Sequence, residues 1–282
     1  MKKQTAAILL IAAAVTLGGC KKKAETEATE PATQQSVTET VEQPKPTVVE
    51  ETESEALSGD RSYLTGEVVG EEQHNRRPFA VMMNNIINAC PQAGIEKAGV
   101  VYEAPVEGGI TRLMGIFEDV EGMEKIGAVR SCRTYYPMYA REFDAIYVHY
   151  GQAVYAVELL NSEDVNNISG LEYQEGAGQI YGYAGEDIFY RTSDRPAPHN
   201  CYTSGEALDN ACTKLGYRRV HEEDFQQKYQ FAADGETVTL DGGEAATIKP
   251  GYQVNSPWFE YRDGKYYRYQ YGDEQIDELT GE

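Results

Sequence analysis

The sequence predicts an α+β fold, in which a mixed body is followed by a small β-rich section. Between residues 61 and 230, short apolar runs typical of buried strands alternate with stretches of helical spacing. After about residue 230 the helical spacing disappears and Tyr-rich runs follow, two of them on either side of Asp263-Gly264. That dipeptide is typical of a two-residue hairpin turn. We therefore divide the chain into segments 1–19, 20–60, 61–230 and 231–282.

The N-terminal segment 1–19 is typical of a cleaved secretory signal. Lys2 and Lys3 precede an apolar stretch, residues 6–17, that is shorter than the about twenty residues needed to span a membrane. The motif Leu17-Gly18-Gly19-Cys20 is a lipobox, so Cys20 is predicted to become the lipidated first residue of the mature chain. Each buried CH₂ of the acyl chains contributes roughly 0.8 kcal/mol. We expect a stable lipid anchor on the extracytoplasmic face of the cell membrane.

The segment that follows Cys20, up to residue 60, is predicted to be a disordered acidic linker. It is rich in Glu, Thr, Pro and Gln and too poor in aromatic and large aliphatic residues to bury a core. The whole chain has a formal net charge of -21, which argues against nucleic acid as a partner. The expected partners are the membrane, through the N-terminal lipid, and a cell-wall component or an envelope protein.

The elements of the folded part follow from local patterns. Strands are predicted at 78–84, 100–102, 110–117, 126–130 and 145–149, and helices at 134–143 and 154–160. Residues 203–206 are typical of a capped helix start, and Gly216 of the end of that helix. Residues 172–190, which repeat Gly and Tyr without periodicity, predict a long surface loop.

The β-rich section is predicted to contain an antiparallel hairpin formed by residues 258–262 and 265–271. We expect Trp258 of this hairpin to pack on the body. We also expect the section to be incomplete, because residues 276–282 resemble a turn that has no return strand.

Four cysteines remain once Cys20 is lipidated: Cys90, Cys132, Cys201 and Cys212. An even number outside the cytoplasm permits disulfides, and the three possible pairings stay open. The default expectation is small, mostly buried thiols. No CxxC pair or other ligand spacing occurs, so neither a metal nor a cofactor is expected.

Several segments, in this order along the chain, resemble the YerB-like lipoprotein family. They are RPFAVMMNN (77–85), QAGIEKAGVVYE (92–103), EGGITRLMGIF (107–117), IGAVRSCRTYY (126–136), DAIYVHYG (144–151) and RPAPHNCYTS (195–204). The resemblance covers about residues 65–220 well and the β-rich section more loosely. It implies a three-layer α+β sandwich with a separate small C-terminal β domain, and a family without an established function. It also implies that Cys132 and Cys201 are particular to this chain.

The first candidate site is the pair Arg130 and Arg133. Both lie between a predicted strand and a predicted helix start, where two guanidiniums beside free helix N–H groups favour a carboxylate or phosphate ligand. The alternative is that these arginines form structural ion pairs with Glu103 or Glu107.

The second candidate site lies nearby in sequence. Glu107 and Arg112 flank the Gly108-Gly109 connection, which on the alternative interpretation is a plain structural turn. Three further residues complete the candidate ligand-binding set: Glu103, and Asn84 and Asn85 at the end of the first predicted strand.

His149 and His199 are candidate acid/base residues. His149 ends an apolar strand and His199 follows Pro196-Ala197-Pro198. If both lie at one rim of the sheet, they are placed to act with Glu107 or Glu103 in proton transfer. The alternative is that both are hydrogen-bonded structural histidines.

These residues favour an extracytoplasmic, membrane-anchored lipoprotein. It would bind an anionic or glycan-containing envelope ligand, or a partner protein, through an Arg/Glu/His-lined cleft. One alternative is a cell-wall-directed hydrolase with a Glu/His acid-base pair, in which Glu107, His149 and His199 converge. The other is a structural adaptor that uses the Tyr-rich loop.

The lipobox makes the anchor testable. Replacing the acceptor thiol in Cys20→Ser should abolish acylation and shift the protein from the membrane to the soluble fraction. Metabolic labelling with a radioactive fatty acid measures the acylation directly. A wild-type protein that takes up no label would contradict the prediction.

Overall fold

The chain is described from a computed structural model that covers residues 59–236, 238 and 242–282. The signal sequence, Cys20 and the linker up to residue 58 lie outside the described residues, and the boundaries drawn at residues 60 and 230 stay predictions. The helices are α1 (Glu71–His74), α2 (Tyr135–Arg141), α3 (Val157–Leu160) and α4 (Gly205–Leu215). Within the described ranges, no helix is long and apolar enough to span a bilayer.

The described part of the chain also contains fourteen short strands. They are β1 (Phe79–Asn84), β2 (Val100–Pro105), β3 (Thr111–Phe117), β4 (Ile126–Gly127), β5 (Ile146–His149), β6 (Asn167–Ser169), β7 (Tyr173–Gln174), β8 (Gly178–Gln179), β9 (Tyr190–Arg191), β10 (Cys201–Thr203), β11 (Thr247–Ile248), β12 (Trp258–Arg262), β13 (Lys265–Gln270) and β14 (Asp273–Glu274). 

The body is built on a five-stranded mixed sheet with the order β2-β3-β1-β5-β6. β1 pairs antiparallel with β3, where Phe79 lies opposite Phe117, and parallel with β5, where Phe79 lies opposite Ile146. Every residue of β1 is buried, as expected for an apolar strand covered on both faces.

Two cores cover the two faces of this sheet and produce three layers. Because side chains alternate along a strand, Phe79 and Val81 join the core that contains Leu208 of α4. Ala80 joins the opposite core, which contains Tyr136 of α2. The fold is therefore α+β, with helices on both faces of the central sheet.

The predicted strand at 126–130 is interrupted, because Gly127 has a φ of 146° that residues with a side chain rarely adopt. β4 ends there, and Val129 makes only an isolated bridge to Met83 of β1. The chain after Gly127 therefore turns towards the carboxyl end of β1.

Helix α4 confirms the predicted start and end. Ser204 is the N-cap, since its hydroxyl accepts a hydrogen bond from the Ala207 N–H at 3.2 Å. Thr203 belongs to β10 instead, and its hydroxyl donates to the Ile188 carbonyl at 2.8 Å. Gly216 ends the helix in the left-handed conformation.

Residues 172–190 are not a simple loop. They contain the small antiparallel pair β7 and β8 and a 3₁₀ turn over Glu186–Ile188. Strands of two residues leave too little alternation in the sequence for a period to be detected.

The C-terminal sheet has the order β11-β12-β13-β14. The predicted hairpin is confirmed: β12 and β13 pair antiparallel, and Asp263 and Gly264 both have positive φ, as a type I′ turn requires. The expected packing of Trp258 on the body is wrong. Phe259, on the opposite face of β12, lines a cavity together with Val101 and Leu113 of the body, whereas Trp258 stacks on Tyr269.

Candidate functional site

The candidate site lies at the edge where the carboxyl ends of the parallel strands β1 and β5 meet. Residues 129–132 cross this edge. The Arg130 N–H donates to Met82 O of β1 at 2.9 Å, and the Arg130 carbonyl accepts from the Tyr150 N–H, just after β5, at 3.0 Å. The Cys132 N–H donates to Gly151 O at 2.9 Å. The backbone of this segment is therefore fixed by both strands.

Four arginines gather around this segment: Arg112, Arg130, Arg133 and Arg191. We call them the arginine cluster. The side chain of Arg112 donates to the Ser131 carbonyl, and the residue is only 4% exposed. Burial, together with the positive charges of Arg133 and Arg130, lowers the pKa of Arg112 to about 10.

Arg133 has a carboxylate partner. Its Nε and Nη2 donate to the two oxygens of Glu107 at 2.5 and 2.6 Å, which is a bidentate ion pair. The hydrogen bond from Arg133 is the main reason that the pKa of Glu107 falls to about 2. Glu107 is therefore a carboxylate at any physiological pH. Of the two interpretations of the arginines, the structural ion pair with Glu107 is the one that applies to Arg133.

Arg130 has no such partner. Its guanidinium makes no hydrogen bond or ion pair with any residue that the structure describes, and its Nε is buried. Burial, followed by repulsion from Arg133 and Arg191, lowers the pKa of Arg130. A guanidinium carries five N–H donors in a planar fork that matches a carboxylate or a phosphate. Arg130 is thus a half-buried cation whose donors no described residue uses.

Asn84 and His199 lie beside Arg130. The Nδ2 of Asn84 donates to Nδ1 of His199 at 2.8 Å, which requires Nδ1 to be unprotonated. Burial and the positive charge of Arg130 lower the pKa of His199. His199 is therefore neutral at pH 7 and is held by Asn84 at the edge of the arginine cluster.

The structure does not bring His149, His199 and Glu107 into one acid-base group. His149 is fully buried, with Nδ1 2.8 Å from Gly151 O and Nε2 3.1 Å from Asn167 Oδ1. Burial lowers its pKa and keeps it neutral. Each of the three residues has its own separate partner.

Glu103 and Asn85 hold the C-terminal section to the body. The Glu103 carboxylate lies within hydrogen-bond distance of Thr111 Oγ1 (2.7 Å), Asn255 Nδ2 (2.7 Å) and Arg268 Nη2 (2.9 Å). Asn85 is fully buried, and its carbonyl accepts from the Tyr271 hydroxyl at 2.8 Å. Both candidates therefore lie at the junction and have their polar atoms occupied there.

Sequence reasoning missed Arg191 and the cavity beside it. The guanidinium of Arg191 lies over the ring of Tyr150, 4.9 Å from its centroid. Both residues line a cavity of about 470 Å³ together with Phe189 and Cys201. The sequence feature that could have pointed to Arg191 and this cavity is the Tyr- and Gly-rich stretch 172–190, which Arg191 follows directly.

The four cysteines that the structure describes form no disulfide with one another and are poor nucleophiles. Burial raises the pKa of Cys132 to about 12 and of Cys201 to about 11, so both are thiols at neutral pH. Across residues 59–236 and 242–282, no three His, Cys, Asp or Glu side chains form a group that could hold a metal ion.

Comparison with known proteins gives three matches. Residues 64–218 match the family described as "Protein of unknown function (DUF3048) N-terminal domain". A Bacillus subtilis protein called "Putative lipoprotein YerB" is 36% identical over 159 residues, which are 56% of this chain and 44% of that protein. The match thus spans less than half of the relative. The crystal structure of the YerB protein from Bacillus subtilis superposes with a TM-score of 0.61 at 29% identity, covering 79% of this chain and 70% of that one.

The Arg133–Glu107 pair can be tested by its effect on protonation. NMR titration of the Glu107 carboxyl should give a pKa of about 2. Arg133→Gln removes the charged donor and should raise that pKa towards its usual value of 4.5. Because the folded-state pKa is depressed, the pair stabilises the fold above about pH 4.5 and loses this effect as the pH falls towards 2. An unchanged Glu107 pKa in the variant would contradict the assignment.

Proposed function

Because the chain belongs to the DUF3048 family, whose description assigns no function, we propose a function from the chemistry of the site itself. The protein is an extracytoplasmic, membrane-anchored lipoprotein that binds an anionic group of a cell-envelope component. The arginine cluster is the binding site, and Arg130 is its principal ligand-binding residue.

The single observation that carries the proposal is the unpartnered guanidinium of Arg130. A partly buried charge without a partner in the protein is costly, and the positive charges of Arg133 and Arg191 add repulsion. A carboxylate or phosphate at this position would use the free N–H donors and offset the repulsion. The chain as a whole has a net charge of -21, so the cluster opposes the overall sign of the protein.

The lipid anchor supplies the location. The lipobox that ends at Cys20 is the sequence feature, and the name of the Bacillus subtilis relative, "Putative lipoprotein YerB", supports it. An anchored domain on an acidic linker would meet envelope components that carry carboxylates and phosphates. We therefore place the ligand in the cell wall or among envelope proteins.

The cavity beside Arg191 provides room for the rest of the ligand. Its walls combine the aromatic rings of Tyr150 and Phe189 with the guanidinium of Arg191, and Glu172 and Glu186 line it as well, so we assign it to a part of the ligand that carries no negative charge. An anionic group on Arg130 and an apolar or hydroxylated part against these rings would give the site both charge and shape selectivity.

A hydrolase has less support from the same geometry. Glu107, with a pKa of about 2, has no proton to donate at neutral pH and is a weak base. His149 is enclosed and has both ring nitrogens occupied. His199 remains partly exposed, but its hydrogen-bond partner among the described residues is the amide of Asn84, not a carboxylate.

Binding and stability of Arg130→Ala test the proposal. Isothermal titration should use two probes at low salt: muropeptides that carry free carboxylates, and inorganic phosphate. The loss of charge-assisted hydrogen bonds should weaken binding of the recognised probe by roughly 10- to 100-fold. The melting temperature should stay the same or rise, because the variant removes an unpaired, partly buried charge.

Arg141→Ala is the matched control, since Arg141 is an exposed arginine paired with Asp164 at 3.1 Å. It should leave binding unchanged. Wild-type protein that binds neither probe would contradict the proposal. So would an Arg130→Ala variant that binds as the wild type does while its melting temperature falls.

A further inference from the structure

A second cleft lies in the C-terminal section, apart from the arginine cluster. Its volume is about 750 Å³. We call it the Trp258 cleft. It is lined by Thr247, Lys249, Gly251, Tyr252, Gln253, Ser256, Pro257, Trp258 and Glu260.

Strand register explains why the lining residues that lie in strands, Thr247, Trp258 and Glu260, share one face of the sheet. Thr247 of β11 lies opposite Glu260 of β12, so both point to the same side of the sheet. Trp258, two residues before Glu260, points to that side as well. Phe259 points to the other side, towards the body. The sheet therefore covers the body with one face and presents the cleft on the other.

One wall of the cleft is the indole of Trp258, which is held in a fixed orientation. Its ring stacks on Tyr269, with centroids 4.8 Å apart and planes inclined by 9°. Its Nε1 donates to Glu260 Oε1 at 3.0 Å. One ring face and the polar edge are thus occupied within the sheet, and Trp258 is still only partly buried.

The other wall is the loop 251–257, which is tied to the body. The Tyr252 hydroxyl donates to the Glu103 carbonyl at 3.2 Å, and the fully buried Asn255 donates to the Glu103 carboxylate at 2.7 Å. The Asn255 carbonyl accepts from the Tyr271 N–H at 2.9 Å. Both walls are therefore preorganised, which reduces the ordering cost of binding.

The chemistry of the cleft selects one class of ligand. Trp258 and Tyr252 offer flat apolar surfaces, which suit the faces of a pyranose ring. The side chains of Lys249 and Gln253 make no hydrogen bond within the described part of the chain and are available to hydroxyl or acetamido groups. Lys249 and Glu260 have opposite charges, which favours an occupant without net charge. We propose that the Trp258 cleft binds an uncharged saccharide.

This proposal does not depend on the arginine cluster. Trp258 is the single tryptophan among the 282 residues, so intrinsic tryptophan emission reports this cleft alone. The full chain is titrated with chitotetraose, cellotetraose and maltotetraose, each up to about 10 mM, a range that detects even millimolar affinity. At least one of these sugars should change the emission with a saturable dependence on concentration.

Variants assign the effect to the cleft. Tyr252→Ala removes one wall and should weaken binding at least about 10-fold, as loss of a central aromatic contact does. Tyr252→Phe keeps the ring and should bind within about threefold of the wild type, which separates loss of the wall from misfolding. The control is Tyr261→Ala, because Tyr261 is 55% exposed and alternation places it on the opposite face of β12. It should bind as the wild type does.

Three outcomes would overturn the proposal. The first is an emission spectrum that none of the three sugars changes. The second is a response that persists in Tyr252→Ala. The third is a response to decaproline but to none of the sugars, since an aromatic groove can also bind a polyproline helix.

Discussion

The arginine cluster depends on the way the backbone of residues 129–132 is held at the edge of the central sheet. Val129 donates to Cys201 O at 2.6 Å on one side, and Arg130 donates to Met82 O at 2.9 Å on the other. Arg130 O and Cys132 N–H are bound by residues that follow β5. Moving Arg130 out of the body would break several buried backbone hydrogen bonds, each of which is expensive to leave unmade. The backbone therefore fixes the point from which the Arg130 side chain extends, among the positive charges of Arg133 and Arg191.

At the opposite end of β5, arginines with a structural role are paired with a carboxylate. Asp144 lies just before β5, and there Arg77 and Arg218 contact its carboxylate at 3.2 and 2.6 Å, with His221 at 3.0 Å. Arg77 and Arg218 at that end share one carboxylate. Among the described residues of the arginine cluster, at the carboxyl end, only Arg133 has a carboxylate partner, Glu107. This contrast within one sheet favours a ligand-binding role for Arg130 over a structural one.

Much of the fold follows from local sequence. The apolar run 79–83 identified the central strand, Asp263-Gly264 identified the hairpin, and Gly216 ended α4, because each depends on neighbouring residues alone. The face of β12 that covers the body was predicted wrongly. Alternation fixes that Trp258 and Phe259 lie on opposite faces, but which face is turned towards the body depends on residues far away in sequence, such as Val101 and Leu113, which line one cavity with Phe259.

The candidate site was predictable only in part, for the same reason. Arg130, Arg133 and Glu107 were selected from spacing, whereas Arg191 reaches the cluster through strand pairing that no local pattern shows: β9 pairs with β10, and Arg191 lies opposite Cys201. His149 was selected because it ends a strand, yet its burial follows from the packing around it.

Arginine side-chain NMR tests the central claim most directly, because it observes the Nε–H of Arg130 itself. The full chain, labelled with ¹⁵N-arginine, is titrated with inorganic phosphate at low ionic strength, where charge interactions are least screened. The account predicts a saturable shift of the Arg130 Nε–H signal, and no shift for Arg141, which is exposed and paired with Asp164. An unchanged Arg130 signal, or equal shifts at both arginines, would contradict a specific anion site.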